Sequence, residues 1–248
     1  VSALVLALAA GAVIGLALGA LGGGGSVLAV PALIYLLGFT PVAATTASLV
    51  IVTLTSVTAL SAHARDGHVR GRTGLLFAAA GIGPAMLGGA LAGRVPEAVL
   101  TAAFAAVAAA AALRMLRSRP SADTVVAVRP GRAAAAGAGL GAVTGVLGVG
   151  GGFLAVPALV GVLGLRMRHA VGTSLLVITV NSLAALTMRA GAVEGLDWVV
   201  VGPFVGAAIL GARDGKRLSG KVSGHTLQRI FALVLLAVAA FMLIDAVL

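Results

Sequence analysis

Long apolar stretches alternate with short polar islands along this chain, and the stretches are too uniformly apolar to be the buried faces of water-soluble helices. The first runs from about Ala3 to Gly38. As one helix it would be about 54 Å long, against a hydrocarbon core of ~30 Å. Four consecutive glycines, Gly22, Gly23, Gly24 and Gly25, interrupt it, and glycine is among the poorest helix-interior residues. The pattern therefore predicts a helix over 3–21, a glycine break and a short helix over 26–38. Three longer apolar segments follow at 42–62, 73–93 and 97–116. The same order then recurs: 133–147, a second glycine break, 153–165, 170–188, 196–212 and 226–246.

The recurrence is a duplication. "GGGGSVLAVPAL" (22–33) returns as "GVGGGFLAVPAL" (148–159), identical at nine of twelve positions with an offset of 126. The same offset pairs Gly11, Gly15 and Gly19 with Gly137, Gly141 and Gly145, Gly38 with Gly164, Ser48 with Ser174, Thr53 with Thr179 and Ser56 with Ser182. A register held over fifty residues marks two copies of one unit. We divide the chain into a first membrane repeat (1–116), a cytoplasmic linker (117–132) and a second membrane repeat (133–248). The first 21 residues lack the basic n-region and polar cleavage zone of a signal peptide, so they are expected to be mature structure.

Charge decides how many times each unit crosses. With four spans per half, nine Lys/Arg fall on one side of the membrane and eight on the other. If each glycine break instead reverses the chain, fifteen share one side and only Arg94 and Arg189 lie opposite. The positive-inside rule selects the second arrangement. The expected fold is thus an all-α polytopic membrane protein of two inverted-topology repeats. Each repeat holds a glycine-broken, re-entrant or short helix hairpin plus three spanning helices, and both chain ends face outside.

Composition agrees and excludes alternatives. The chain is 60% hydrophobic and 10% charged, with a mean hydropathy of +1.15. The net charge of +10 is read as cytoplasmic loops facing anionic lipid, with no nucleic-acid partner. With no cysteine, thiolate metal sites, disulfides and iron–sulfur clusters are excluded. Gly-x-Ser-x-Gly, His-Glu-x-x-His, Walker loops and paired carboxylates are all missing from the sequence, so neither an enzyme, a metal site nor a cofactor is expected.

The glycine tips carry the sharpest candidate chemistry. Free N–H groups at the start of the short helices, from Ser26 and Phe153 onward, make an end that favours anions. Gly22 to Gly25, with Gly150, Gly151 and Gly152, let a ligand approach the backbone closely. Discontinuous helices at a repeat interface are where secondary transporters hold their substrates. Close helix packing is the competing explanation, preferred for Gly11, Gly15, Gly19 and their mates. Pro31 and Pro157 either free a carbonyl or simply kink the short helices.

The next helix of each half is rich in hydroxyls. Thr46, Ser48, Thr173, Ser174 and Asn181 can donate to an oxyanion, although hydroxyls also bond back to their own helix. The matched Ser48/Ser174 pair and Asn181 are the preferred candidates. His63 and Arg189 are equivalent by the offset, and each is either a cation recruiting anions at a mouth or an ordinary helix-end cation. No Asp or Glu falls mid-span, and His63, His68, His169 and His225 lie at or near predicted loops. The expected energetics are potential-driven anion efflux, ~2.3 kcal/mol per charge per 100 mV, or cotransport in which the proton rides on the substrate.

The paired signature "LGGGGSVLAVPAL" and "LGVGGGFLAVPAL", followed by "AVGTSLLVI", resembles the sulfite exporter TauE/SafE family of membrane permeases. The likeness covers nearly the whole chain. It implies a bacterial inner-membrane transporter, an exporter of small sulfur-containing anions such as sulfite, sulfonates or thiosulfate. The first repeat departs from the second, with Gly23 opposite Val149 and Ser26 opposite Gly152. A membrane subunit that scaffolds a partner protein, or a carrier of another small metabolite, are the alternatives that stay open. The oligomeric state is left open too.

Overall fold

The computed structural model describes residues 2–92, 96–117, 129–146, 152–188 and 195–247. These form ten α-helices: α1 (Ser2–Leu21), α2 (Gly24–Pro31), α3 (Pro41–Arg65), α4 (Gly71–Ala92), α5 (Glu97–Arg117), α6 (Pro130–Val146), α7 (Gly152–Gly161), α8 (Met167–Met188), α9 (Trp198–Lys221) and α10 (Gly224–Val247). No strand occurs among the described residues. The element order matches the apolar pattern. Most of the linker, Arg94, Arg189, Gly150 and Gly151 lie outside the described residues.

Local sequence sets the ends. The Thr40 hydroxyl accepts from the Ala43 amide at 3.4 Å and Pro41 takes the first helical position, so α3 starts there. Asp197 caps α9 by accepting from the Val199 amide at 3.0 Å. The two short helices stop in the same way. Gly38 and Gly164 both adopt φ +69°, a left-handed turn that suits glycine. In the first half Gly38 N–H donates to Ile34 (3.1 Å) and Phe39 N–H to Leu33 (3.0 Å); in the second, Gly164 donates to Val160 (3.1 Å) and Leu165 to Leu159 (2.9 Å). Every partner is displaced by the repeat offset.

Several boundaries differ from expectation, among them the end of α7 at Gly161 in place of 165. Helix α2 begins at Gly24, inside the glycine run, and after Pro31 continues as a π-helical turn, Ala32–Leu36. Only Gly22 and Gly23 remain to make the reversal. Helix α9 runs on to Lys221, well past the apolar segment that ends at 212. Hydropathy falls at Arg213, but Arg, Lys and Leu are good helix formers, so the helix outlasts the apolar run.

Packing follows the small residues. Helix α1 lies along α9, and α4 lies along α6. A Cβ at Gly11, Gly15 or Gly19 would overlap the carbonyls of Phe204, Ala208 and Ala212, and one at Gly137 or Gly141 would overlap those of Phe77 and Gly81. The backbones are therefore in direct contact, as small residues at four-residue spacing allow in membrane helices. The two contacts exchange under the duplication, since α6 is the counterpart of α1 and α4 of α9.

Three elements meet their own counterparts: α2 meets α7, α3 crosses α8 and α5 crosses α10. At the α3–α8 crossing the Ser56 and Thr179 hydroxyls are 3.0 Å apart, and nearer its end the Arg70 amide donates to the Thr173 hydroxyl at 3.1 Å. The C-terminus of α3 is thus beside the N-terminus of α8. Likewise the Gln228 amide near the start of α10 donates to the Met115 carbonyl near the end of α5 at 2.6 Å. In both pairs the end of one helix lies beside the start of its counterpart.

The charged loops gather at one end. Lys216 pairs with Asp66 at 2.6 Å, Arg168 donates to the Gly220 and Val222 carbonyls at 3.2 Å, and the Arg114 side chain is 3.7 Å from the position a Gly161 Cβ would take. Tyr35 and Trp198, both exposed, lie towards the opposite end. Phe77, Phe104, Phe153 and Phe231 fill one apolar core, and Leu18, Leu33, Ile51 and Phe204 fill another. Large aliphatic side chains cover the outside, among them Leu4, Val13, Val42, Leu87, Val199 and Ile244. Helices α1, α3, α8 and α10 are long and apolar enough to cross a membrane. This is a multi-pass membrane protein, since such a surface suits lipid and not water.

Candidate functional site

The hairpin of the first half turns at Gly22, the one residue of its glycine run with a positive φ (+68°). A Cβ on Gly22 would lie 2.5 Å from Ser174 Oγ and 3.1 Å from the Val171 carbonyl. The turn therefore seats on α8, seven residues along from its start at Met167, or about 10 Å inside that end of the helix. Gly23 meets the other hairpin directly, because a Cβ there would overlap the Gly152 carbonyl. Within the run, Gly22 supplies the left-handed turn, Gly23 the close approach, and the backbones of Gly24, Gly25 and Ser26 the first turn of α2. Gly23 and Gly152 thus bring the first hairpin's turn and the start of α7 into backbone contact.

The hydroxyls divide. Thr46, Ser48, Thr53 and Thr55 all donate to carbonyls of α3 itself, at 3.0, 2.8, 2.6 and 2.5 Å. Ser174 donates to the Val171 carbonyl at 2.8 Å while packing on Gly22. Gly148, the counterpart of Gly22 by the offset, lies outside the described residues. Thr173 accepts from the Arg70 amide. Asn181 stands apart: its Oδ1 is buried and has no partner among the described residues.

Between the Gly22 turn and the charged end is a cavity of about 120 Å³, whose lining includes His63, Asp66, His68, Arg168, Val171 and Lys216. Val171 touches the turn from one side. His63 braces it from another, since its Nε2 is 3.1 Å from the Gly19 carbonyl in the last turn of α1. A carbonyl only accepts, so Nε2 carries the proton and donates. The other nitrogen, Nδ1, is then a bare acceptor, buried and without a partner among the described residues. An unmet buried acceptor costs about 1–3 kcal/mol. His63 itself is only 4% exposed, so the residue read from sequence as lying near a loop is an interior one.

Three cations, Arg168, Lys216 and Arg217, line this cavity against one carboxylate, Asp66. The Lys216 ammonium, by hydrogen bond and charge, holds the Asp66 carboxyl below its usual range. The α3–α4 loop is laid over the start of α8, with Arg70 bonded to Thr173 and a Cβ at Gly172 reaching 2.6 Å from the His68 carbonyl. His68 in turn stacks edge-on with His169, ring centres 5.6 Å apart, and lies 6.3 Å from the His63 ring. Among the described residues no group of His, Asp and Glu is arranged to hold a metal ion. Arg168, Lys216, Asp66 and His68 were not singled out from sequence. Each sits in a polar island that reads as a solvated loop, and only the folded chain brings α3, α8 and α9 together.

Comparison with known proteins agrees with this architecture. The family model for the sulfite exporter TauE/SafE matches residues 7–242. A probable membrane transporter protein of Xylella fastidiosa strain 9a5c is 34% identical, over 98% of this chain and 96% of the relative. A second, from strain Temecula1, is 33% identical over the same shares. No solved structure matches the chain.

Proposed function

The chain belongs to the sulfite exporter TauE/SafE family of membrane transporters, and from that premise we propose that it exports small sulfur-containing anions such as sulfite, sulfonates or thiosulfate by alternating access. It is a transporter and not an enzyme. The observation that carries the reading is the cationic cavity whose floor, His63 and Val171, rests on the Gly22 turn, with Gly23 against Gly152 immediately beyond. An oxyanion entering there meets Arg168, Lys216 and Arg217 first. It then reaches the backbone at the meeting of two discontinuous helices, a type of place that suits anions. Rocking one half against the other would open the opposite side of that meeting point.

Inverted repeats in a bacterial inner membrane are part of the proposal. The end-to-start contact of α3 with α8 and of α5 with α10 supports inversion, and the collection of cations at one end supports placing that end in the cytoplasm. The direction of transport has its own support. By the offset of 126, Arg168 and Lys216 stand opposite Val42 and Ala90. The two mouths are unequal, and anions would concentrate at the cationic, cytoplasmic one. The test is binding of purified protein to a panel of sulfite, thiosulfate, sulfonates and carboxylates. Saturable binding of the sulfur oxyanions is expected, and equal or better binding of the carboxylates would overturn the substrate assignment.

A further inference from the structure

We infer that His63 is a protein-borne proton site, so that an oxyanion occupies the cavity between α3, α8, α9 and α10 together with one proton held on His63 Nδ1. The inference rests on the reading of this cavity as the substrate's entry. It departs from the sequence expectation that a proton, if any, travels on the substrate.

Three observations lead there. His63 is the one buried histidine among the described residues, and it lines the cavity. Its Nε2–H is committed to the Gly19 carbonyl, which fixes the ring beside the Gly22 turn. Its Nδ1 has no partner among the described residues, although buried polar atoms nearly always have one. A bare acceptor has nothing to offer an anion. Once protonated, the same atom is a donor and the ring carries a positive charge.

The surrounding charges make the proton depend on the anion. Helix α1, which carries no charged residue, presents the Gly19 carbonyl to the ring. The α3–α4 loop contributes Asp66 and His68, α8 contributes Arg168 directly and His169 through His68, and α9 contributes Lys216 and Arg217. Asp66 is already paired with Lys216. Asp214 is likewise paired with Arg217, so Arg168 is the lining cation with no carboxylate partner among the described residues. A second positive charge on the buried His63 ring then calls for a counter-charge. A bound oxyanion supplies that charge and accepts from Nδ1–H. The proton comes from water at the cavity mouth onto the Nδ1 lone pair, no covalent bond to the anion forms, and the proton returns to water when the anion leaves. Binding linkage is reciprocal, so protonation strengthens anion binding by the same factor by which the anion strengthens protonation. A dianion carried with one proton moves one net negative charge, which makes transport sensitive to the pH gradient as well as to the potential.

The probe is thiosulfate, which stays a dianion through the neutral range. Calorimetry of full-length protein in buffers of different ionisation heat reads proton uptake, and proteoliposomes with an internal pH dye read proton movement with flux. For the wild type we expect close to one proton taken up per thiosulfate at saturation, and affinity rising as pH falls, at most about tenfold per unit for one linked proton. His63→Gln keeps an N–H that can reach the Gly19 carbonyl but has no site for a proton, so its affinity should lose the pH dependence and its flux should move no proton. Wild-type protein that binds thiosulfate with no proton uptake overturns the inference and leaves the transport reading standing. So does pH dependence that persists in His63→Gln, or that vanishes instead in His169→Gln. If His63→Gln does not fold, the wild-type proton count still decides. Wild-type protein that neither binds nor moves any sulfur oxyanion at any pH overturns the transport reading itself, and this inference with it.

Discussion

Replacing Gly22 by alanine tests whether the glycine turn is part of the binding site or only a bend. Gly22 sits at φ +68°, where an L-residue costs roughly 1–2 kcal/mol. The new Cβ would also meet Ser174 Oγ at 2.5 Å and the Val171 carbonyl at 3.1 Å. Ser174 can rotate away, giving up its 2.8 Å bond to Val171 at a further cost of about 1 kcal/mol. The sum, about 2–3 kcal/mol, is relieved if the tip withdraws from α8. If bound anion needs the tip in place, binding must supply that energy, and affinity for thiosulfate should fall by roughly 30- to 150-fold. Gly38→Ala is the internal control, because Gly38 has φ +69° and open space where its Cβ would go. It should cost the ~1–2 kcal/mol of backbone strain alone and leave affinity unchanged. The assay is calorimetric titration of both variants, with thermal unfolding in detergent as the stability readout. Equal affinity in Gly22→Ala and wild type, with Gly22→Ala destabilised, would refute a binding role and leave the turn as a packing device.

Single cysteines introduced at Arg65 and Lys221, both exposed, should react with an impermeant reagent from the same, cytoplasmic, face, and labelling from opposite faces would sink the inverted arrangement. Gly15→Leu should drive α1 from α9, because even a Cβ overlaps the Ala208 carbonyl. We expect a loss of stability above the ~1–3 kcal/mol typical of overpacking, whereas Gly206→Ala, with open space around it, should be neutral or slightly stabilising in melting temperature. Asp66→Asn removes the one carboxylate lining the cavity, so thiosulfate affinity at low salt should rise roughly two- to fivefold and the gain should shrink with added salt; an affinity that falls would show Asp66 to be an organising residue. In the wild type, Lys216 depresses the Asp66 value, so the stability from this pair is complete above the ordinary aspartate range and is lost as pH falls through the depressed folded value. Melting curves from neutral to strongly acid pH should show that loss in wild type and not in Asp66→Asn.

The apolar pattern and the offset of 126 were enough to read the duplication, the helix order and the glycine breaks from sequence, because each depends on residue types along the chain. The packing role of Gly11, Gly15 and Gly19 was legible for the same reason: four-residue spacing puts small residues on one helix face, and a parallel helix can then approach to backbone contact. The polar islands carrying Arg168, Lys216 and Asp66 could be assigned to one side by counting charge, yet nothing along the chain says that these three residues line one cavity. That depends on α3, α8 and α9 converging, residues 66, 168 and 216 being far apart in sequence. The division of labour among Gly22, Gly23, Gly24 and Gly25 was equally hidden, since four identical residues become distinct only when Ser174 and Gly152 press on two of them. His63 shows the limit most sharply. Its distance along the chain from a polar loop suggests a wet side chain, but the last turn of α1 closes over it and turns it into a buried, half-satisfied imidazole. Burial is a property of what packs on a residue from elsewhere, and only the tertiary structure decides it.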